Sequence, residues 1–136
     1  MSPAPRLLFL DSSALVKLVV EERETAALRR FLPAYPTRVS SILTRVELLR
    51  SVARAGLGRS DIRRAEDVLA RLSLIPLDEA IVEKATRLPP PTLRTGDAIQ
   101  LATALSLAAD LDGVVAYDAR LLAAAGAAGV RCWSPR

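Results

Sequence analysis

LLFLDSSALVKLVV, residues 7–20, decides the fold. Its first four residues are apolar without alternation, which is the pattern of a short strand buried on both faces. The following SALVKLVV repeats apolar side chains at helical spacing, with Asp11 at the junction. A strand that passes directly into a helix opens a βα unit. The rest of the chain repeats this order.

ETAALRRFL predicts a second helix, and residues 39–41 a second strand running into the helix LTRVELLRSVARA. SDIRRAEDVLARL predicts a helix capped by Ser60, with Ile62, Ala65, Val68, Leu69 and Leu72 on its inner face. Residues 74–77 predict strand three, and DEAIVEKATRL another helix. Pro89, Pro90 and Pro91 make a stiff connector. It leads into LRTGDAIQLATAL, where Ala98, Leu101, Ala102 and Leu105 mark the buried stripe of a helix capped by Thr95. Residues 113–117 predict strand four, DARLLAAAG a helix stopped by Gly126, and residues 130–133 a last strand. This alternation predicts a three-layer α/β/α fold with a central, mainly parallel sheet of about five strands, as a single domain over residues 1–136.

Composition narrows the chemistry. The chain has no histidine, which excludes Ser-His-Asp and Cys-His catalysis and His-based zinc sites. The single cysteine, Cys132, has no partner within the chain and suits a reducing, cytoplasmic setting. No apolar run approaches the ~18 residues of a membrane span, so no membrane association is expected. The net charge of +4 is almost all arginine, Lys17 and Lys84 being the only lysines, and guanidinium groups favour phosphate or carboxylate partners. A GC-rich coding sequence accounts for the same bias. Aromatic residues make up only 4%, too few for a surface that stacks several bases.

Four acids stand out. Asp11 follows strand one, Glu47 lies in the first turns after strand two, Asp97 opens the helix after the prolines, and Asp118 follows strand four. Each has an ordinary explanation: Asp11 and Asp118 as helix caps, Glu47 as the partner of Thr44 in a capping box, and Asp97 as a complement to a helix dipole. Those explanations leave their convergence on one sheet edge unexplained. Asp61, Asp78 and Glu79 open helices from more polar segments, whereas these four are embedded among Leu, Val, Ile and Ala. Two unit charges about 5 Å apart at an effective dielectric of 20 repel by roughly 3 kcal/mol, which a divalent cation relieves. With only oxygen ligands, the ion expected is Mg²⁺ or Mn²⁺. Carboxylates holding such an ion are suited to phosphodiester hydrolysis.

The motifs LDSSALVKL, SSILTRVELLRS, LRTGDAIQLATAL and VVAYDARL, in this order over nearly the whole chain, resemble the PIN-domain ribonucleases, most closely the VapC toxins of toxin–antitoxin pairs. The resemblance implies a metal-dependent endoribonuclease whose catalytic and metal-binding acids are Asp11, Glu47, Asp97 and Asp118, leaving 5′-phosphate and 3′-hydroxyl ends. It further implies support from Ser12 or Ser13, an RNA substrate such as transfer RNA, a VapB-like antitoxin over the active-site groove, and a homodimer. The chain departs from many relatives at Ala116, where they carry Thr, and at Gln100, where they carry His. Arg94 and Arg120 flank two of the acids and are candidates for phosphate contact. Two other readings stay open. A phosphoacceptor receiver domain needs paired acids after strand one and a lysine after a late strand, and neither is present. A PIN-like RNA-binding or scaffold module without nuclease activity is expected to lose acids, and all four are here.

Overall fold

The computed structural model describes residues 6–136. The first strand, β1 (Leu7–Leu10), runs into helix α1 (Ser12–Val19) and then α2 (Thr25–Phe31), which ends in a 3-10 turn at Leu32–Ala34. Strand β2 (Thr37–Ser41) leads into α3 (Ile42–Arg54) and α4 (Arg59–Ala70), and β3 (Ser73–Ile75) into α5 (Glu79–Arg87) and α6 (Thr95–Ser106). The chain closes with β4 (Leu111–Val115), α7 (Ala119–Ala127) and β5 (Cys132–Trp133). The five strands form one sheet in the order β3-β2-β1-β4-β5, and every neighbouring pair is parallel.

Alternation along β1 separates the layers. Leu8 and Leu10 face a core shared with Ala14, Leu15 and Val19 of α1, Leu28 of α2, Leu48 and Val52 of α3, and Ala65 and Leu69 of α4. Phe9 faces the other way, among Leu101 and Ala104 of α6 and Leu121, Ala124 and Ala125 of α7. Successive side chains of a strand point to opposite faces, so one four-residue strand anchors both helical layers. No helix among the described residues is long and apolar enough to cross a membrane.

Several expected boundaries shift. Gly58, not Ser60, is the N-cap of α4, and Arg94 rather than Thr95 precedes α6 without a side-chain cap. Strand four ends at Val115, where Leu10 provides the last partner in β1; Ala116 and Tyr117 continue the apolar pattern beyond the ladder. Gly126 lies inside α7, and the left-handed residue after the helix is Gly129, at φ 82°. Gly113 meets a different demand: a Cβ there would lie 2.3 Å from Trp133 Cζ3 and 2.8 Å from the Arg131 carbonyl oxygen.

Chain order reverses about β1: the path moves from β1 through β2 to β3 on one side, then returns to β4 and β5 on the other. In parallel sheets the carboxyl ends of the two strands at such a reversal form a crevice. Asp11 lies directly past the end of β1, and Asp118 three residues past the end of β4.

Candidate active site

Asp11 is 3% exposed. It caps α1: its Oδ2 accepts a hydrogen bond from the Ser13 amide at 3.2 Å and from Ser13 Oγ at 2.7 Å. Ser13 Oγ also accepts from the Tyr117 amide at 3.0 Å, so one hydroxyl ties Asp11 to the segment leading to Asp118. Burial pushes the Asp11 carboxyl above its usual range; the bonds from Ser13 oppose this, and the charge of Glu47 adds to it.

Asp118 is the N-cap of α7, accepting from the amides of Arg120 and Leu121 at 2.9 and 3.0 Å. Both expected caps therefore exist. A capping carboxylate uses part of its acceptor capacity, and each oxygen has more than one lone pair, so capping and ligation are compatible.

Glu47 has no capping role. The N-cap of α3 is Ser41, whose Oγ accepts from the Leu43 amide at 3.1 Å, so the expected capping box between Thr44 and Glu47 is not formed. Thr44 is fully buried and lies within the helix. Glu47 Oε1 instead accepts from Ser12 Oγ at 3.2 Å and from Gln100 Nε2 at 2.7 Å. Its other oxygen, Oε2, lies against the first turn of α6, where a Cβ on Gly96 would stand 3.1 Å from it. The absence of a side chain at Gly96 is what gives this carboxylate room against α6.

Asp97 is partly buried in that first turn. Burial raises its pKa first, then the charges of Asp118 and Asp11; Arg94 and Arg120 oppose the rise. Field effects thus join Asp11 to Glu47, and Asp97 to both Asp11 and Asp118. The four sequence-predicted acids form one electrostatic group at the carboxyl edge of the sheet. Ser12 and Ser13 both support it, each through a different acid.

None of the six ion pairs among the described residues uses Asp11, Glu47, Asp97 or Asp118. As the side chains stand, no three metal-ligating groups among the described residues converge to hold an ion. Each of three carboxylates keeps its own hydrogen bonds, Glu47 with Ser12 and Gln100, Asp11 with Ser13 and Asp118 with the α7 amides. The donors are carboxylate oxygens whose mutual repulsion no side-chain ion pair relieves. This set fits a hard divalent cation.

Other polar groups were less legible in the sequence. Gln100 is 1% exposed and belongs to a buried network with Thr44 and Ser40. Its signal was its place on the buried side of α6, three residues after Asp97. Lys17, 9% exposed, pairs with Glu24 at 2.8 Å and lies 4.6 Å from the centre of the Tyr117 ring. Trp133 packs against Phe31 and Tyr35 with ring centroids 5.4 and 5.6 Å away, and so serves as packing. Ala116 is wholly buried in the core.

The PIN domain family model matches residues 8–127. Ribonuclease VapC46 of Mycobacterium tuberculosis is 44% identical over 128 residues, covering 94% of this chain and 97% of that protein. Ribonuclease VapC47 of the same species is 40% identical over 134 residues, covering 95% and 97%. Among solved structures, a chain of a toxin–antitoxin complex from Klebsiella pneumoniae superposes with a TM-score of 0.72 at 23% identity, covering 95% of this chain and 98% of that one. VapC20 of M. tuberculosis, described as a sarcin-ricin loop cleaving toxin, gives a TM-score of 0.72 at 18% identity, covering 91% and 96%. The two structural likenesses speak for the fold, and the family match and the close relatives for descent: the chain belongs to the PIN-domain family, in its VapC ribonuclease branch.

Proposed function

We propose that this chain is a Mg²⁺- or Mn²⁺-dependent endoribonuclease, the toxin of a VapBC-type pair, with Asp11, Glu47, Asp97 and Asp118 as its catalytic, metal-holding acids. The observation that carries the reading is the mutual electrostatic influence of these acids, none of which is in an ion pair among the described residues. The relatives named ribonucleases support the reaction class, and the structural neighbour from a toxin–antitoxin complex supports a VapB-like partner. A non-catalytic RNA-binding module has no comparable need for all four acids.

When bound, the cation supplies Lewis-acid polarisation of a phosphodiester and acidification of water. The chain's own residues supply the frame. Asp11 and Asp118 reach the edge from the two strands at the chain reversal, Asp97 from the start of α6 and Glu47 from within α3. Ser13 holds Asp11, and Ser12 holds Glu47. Raised carboxyl pKa values at Asp11 and Asp97 mean that protons compete with a cation for these oxygens at higher pH than they do for ordinary carboxylates. Arg94 and Arg120, close enough to lower the Asp97 pKa, are suited to meet phosphates of an RNA strand. The same proposal takes residues 1–136 as one PIN unit acting in the cytoplasm as a homodimer, on RNA connected with translation.

The test is cleavage of end-labelled RNA by purified protein freed of antitoxin, with Mg²⁺ or Mn²⁺, with EDTA, and with Asp97→Asn in parallel. Discrete cuts leaving 5′-phosphate ends, lost in both controls, are the expected result. Metal-independent cutting, or cutting undiminished in Asp97→Asn, overturns the assignment of the acids.

A further inference from the structure

The carbonyl of Leu10, the residue before Asp11, begins a buried chain of hydrogen bonds. It accepts from Ser40 Oγ at 2.6 Å, and Ser40 Oγ lies 2.7 Å from Thr44 Oγ1. Thr44 Oγ1 lies 2.8 Å from Gln100 Nε2, and the same nitrogen lies 2.7 Å from Glu47 Oε1. Ser12 Oγ, 3.2 Å from that carboxylate oxygen, returns the chain to the end of β1. The path is a ring that joins β1 and α1, β2 and α3, and α6.

The proton directions in this ring follow from its first member. A carbonyl can only accept, so Ser40 donates its single hydroxyl proton to Leu10. Ser40 must then accept from Thr44, and Thr44, its proton spent, must accept from Gln100. The amide therefore turns its NH₂ group inward, and its second proton goes to Glu47 Oε1. A backbone carbonyl beside Asp11 thus dictates the orientation of an amide on another helix.

This orientation has a cost. Gln100 Oε1 is buried and has no hydrogen-bond partner among the described residues. A buried acceptor without a partner destabilises a fold, and an apolar side chain of similar length could fill the space without it. The bonds donated to Thr44 and Glu47 offset that cost, so stability alone does not single out an amide here. Its effect falls on Glu47: with Oε1 held by Gln100 and Ser12, Oε2 is the oxygen left free of these bonds, against Gly96 in the first turn of α6.

We propose that Gln100 is a positioning residue, a two-proton donor that fixes Glu47 through Oε1 and so leaves Oε2 as the oxygen available to a cation. The inference rests on the acidic centre proposed above.

The test compares wild type, Gln100→Met and Thr44→Val in three measurements: thermal melting in EDTA, Mn²⁺ affinity by titration calorimetry, and RNA cleavage. Gln100→Met removes both donors together with the stranded oxygen. It should melt within a few degrees of wild type or above it, yet bind Mn²⁺ and cleave about 10- to 100-fold less well, the usual range for loss of a group that orients a ligand. Thr44→Val leaves Gln100 in place but removes its anchor, and should weaken Mn²⁺ binding in the same direction. If Gln100→Met does not fold, Thr44→Val decides. A folded variant with wild-type Mn²⁺ affinity overturns the positioning role while leaving the metal centre standing. Wild type that binds no Mn²⁺ overturns both.

Discussion

Replacing Ser13 by Ala tests the local electrostatics of the site without touching any of the four acids. The hydroxyl makes two bonds, one donated to Asp11 Oδ2 at 2.7 Å and one accepted from the Tyr117 amide at 3.0 Å. A hydrogen bond to a buried charge contributes about 1.5–3 kcal/mol, and a partly buried amide left without a partner costs about 1 kcal/mol. The expected loss at pH 8 in EDTA is therefore about 2.5–4 kcal/mol. With an unfolding entropy of about 2.1 cal/mol/K per residue, this corresponds to a fall in Tm of about 9–14 °C. The loss should also depend on pH. Asp11 titrates above its ordinary 3.8 because of burial, so the stability linked to its protonation is full below 3.8 and is lost as pH rises through the folded-state pKa. Removing Ser13 takes away a bond that lowers that pKa and moves it higher still, so the variant loses further stability across the same rise. Toward pH 4 a carboxyl of raised pKa becomes increasingly neutral, and the deficit should shrink. Melting followed by circular dichroism at pH 4 and pH 8 reads both quantities. A Tm change under about 3 °C at pH 8, or an equal change at both pH values, would refute the reasoning.

Asp97→Asn should raise the Tm in EDTA at pH 8 by up to about 3 °C. Its raised pKa makes the ionised form a liability from pH 3.8 upward, and partial exposure keeps the gain to about 1 kcal/mol or less. The two proteins should melt alike near pH 3.5, and Mg²⁺ should stabilise wild type more than the variant. Gly113→Ala should cost more than about 3 kcal/mol, since the new methyl meets both the Trp133 ring and a backbone carbonyl that cannot step aside. Denaturant unfolding followed by Trp133 fluorescence measures the loss, and a variant within about 1 kcal/mol of wild type contradicts the packing argument.

The layers and the edge of the site were legible because they rest on coarse physical patterns. An apolar run ending in Asp11, repeated later before Asp118, is enough to place two acids at carboxyl ends of parallel strands. Caps were harder to read, because several residues in a row could serve. Ser60 competes with Gly58, and Thr44 imitates a capping residue although Ser41 starts the helix three residues earlier. Gln100 was least legible. Sequence spacing shows that it lies inward, but its function depends on a proton order set by Leu10 and Ser40, far away along the chain.

The two capping acids bear on how loss of activity in this edge is to be interpreted. Asp11 and Asp118 begin helices with their own side chains, whereas Glu47 and Asp97 make no cap. Alanine at 11 or 118 removes a helix start worth about 1 kcal/mol along with the carboxylate, while asparagine preserves the start and removes only the charge. An alanine scan would rank these four positions partly by how much helix each one holds, and only the amide and isosteric replacements would rank them by chemistry.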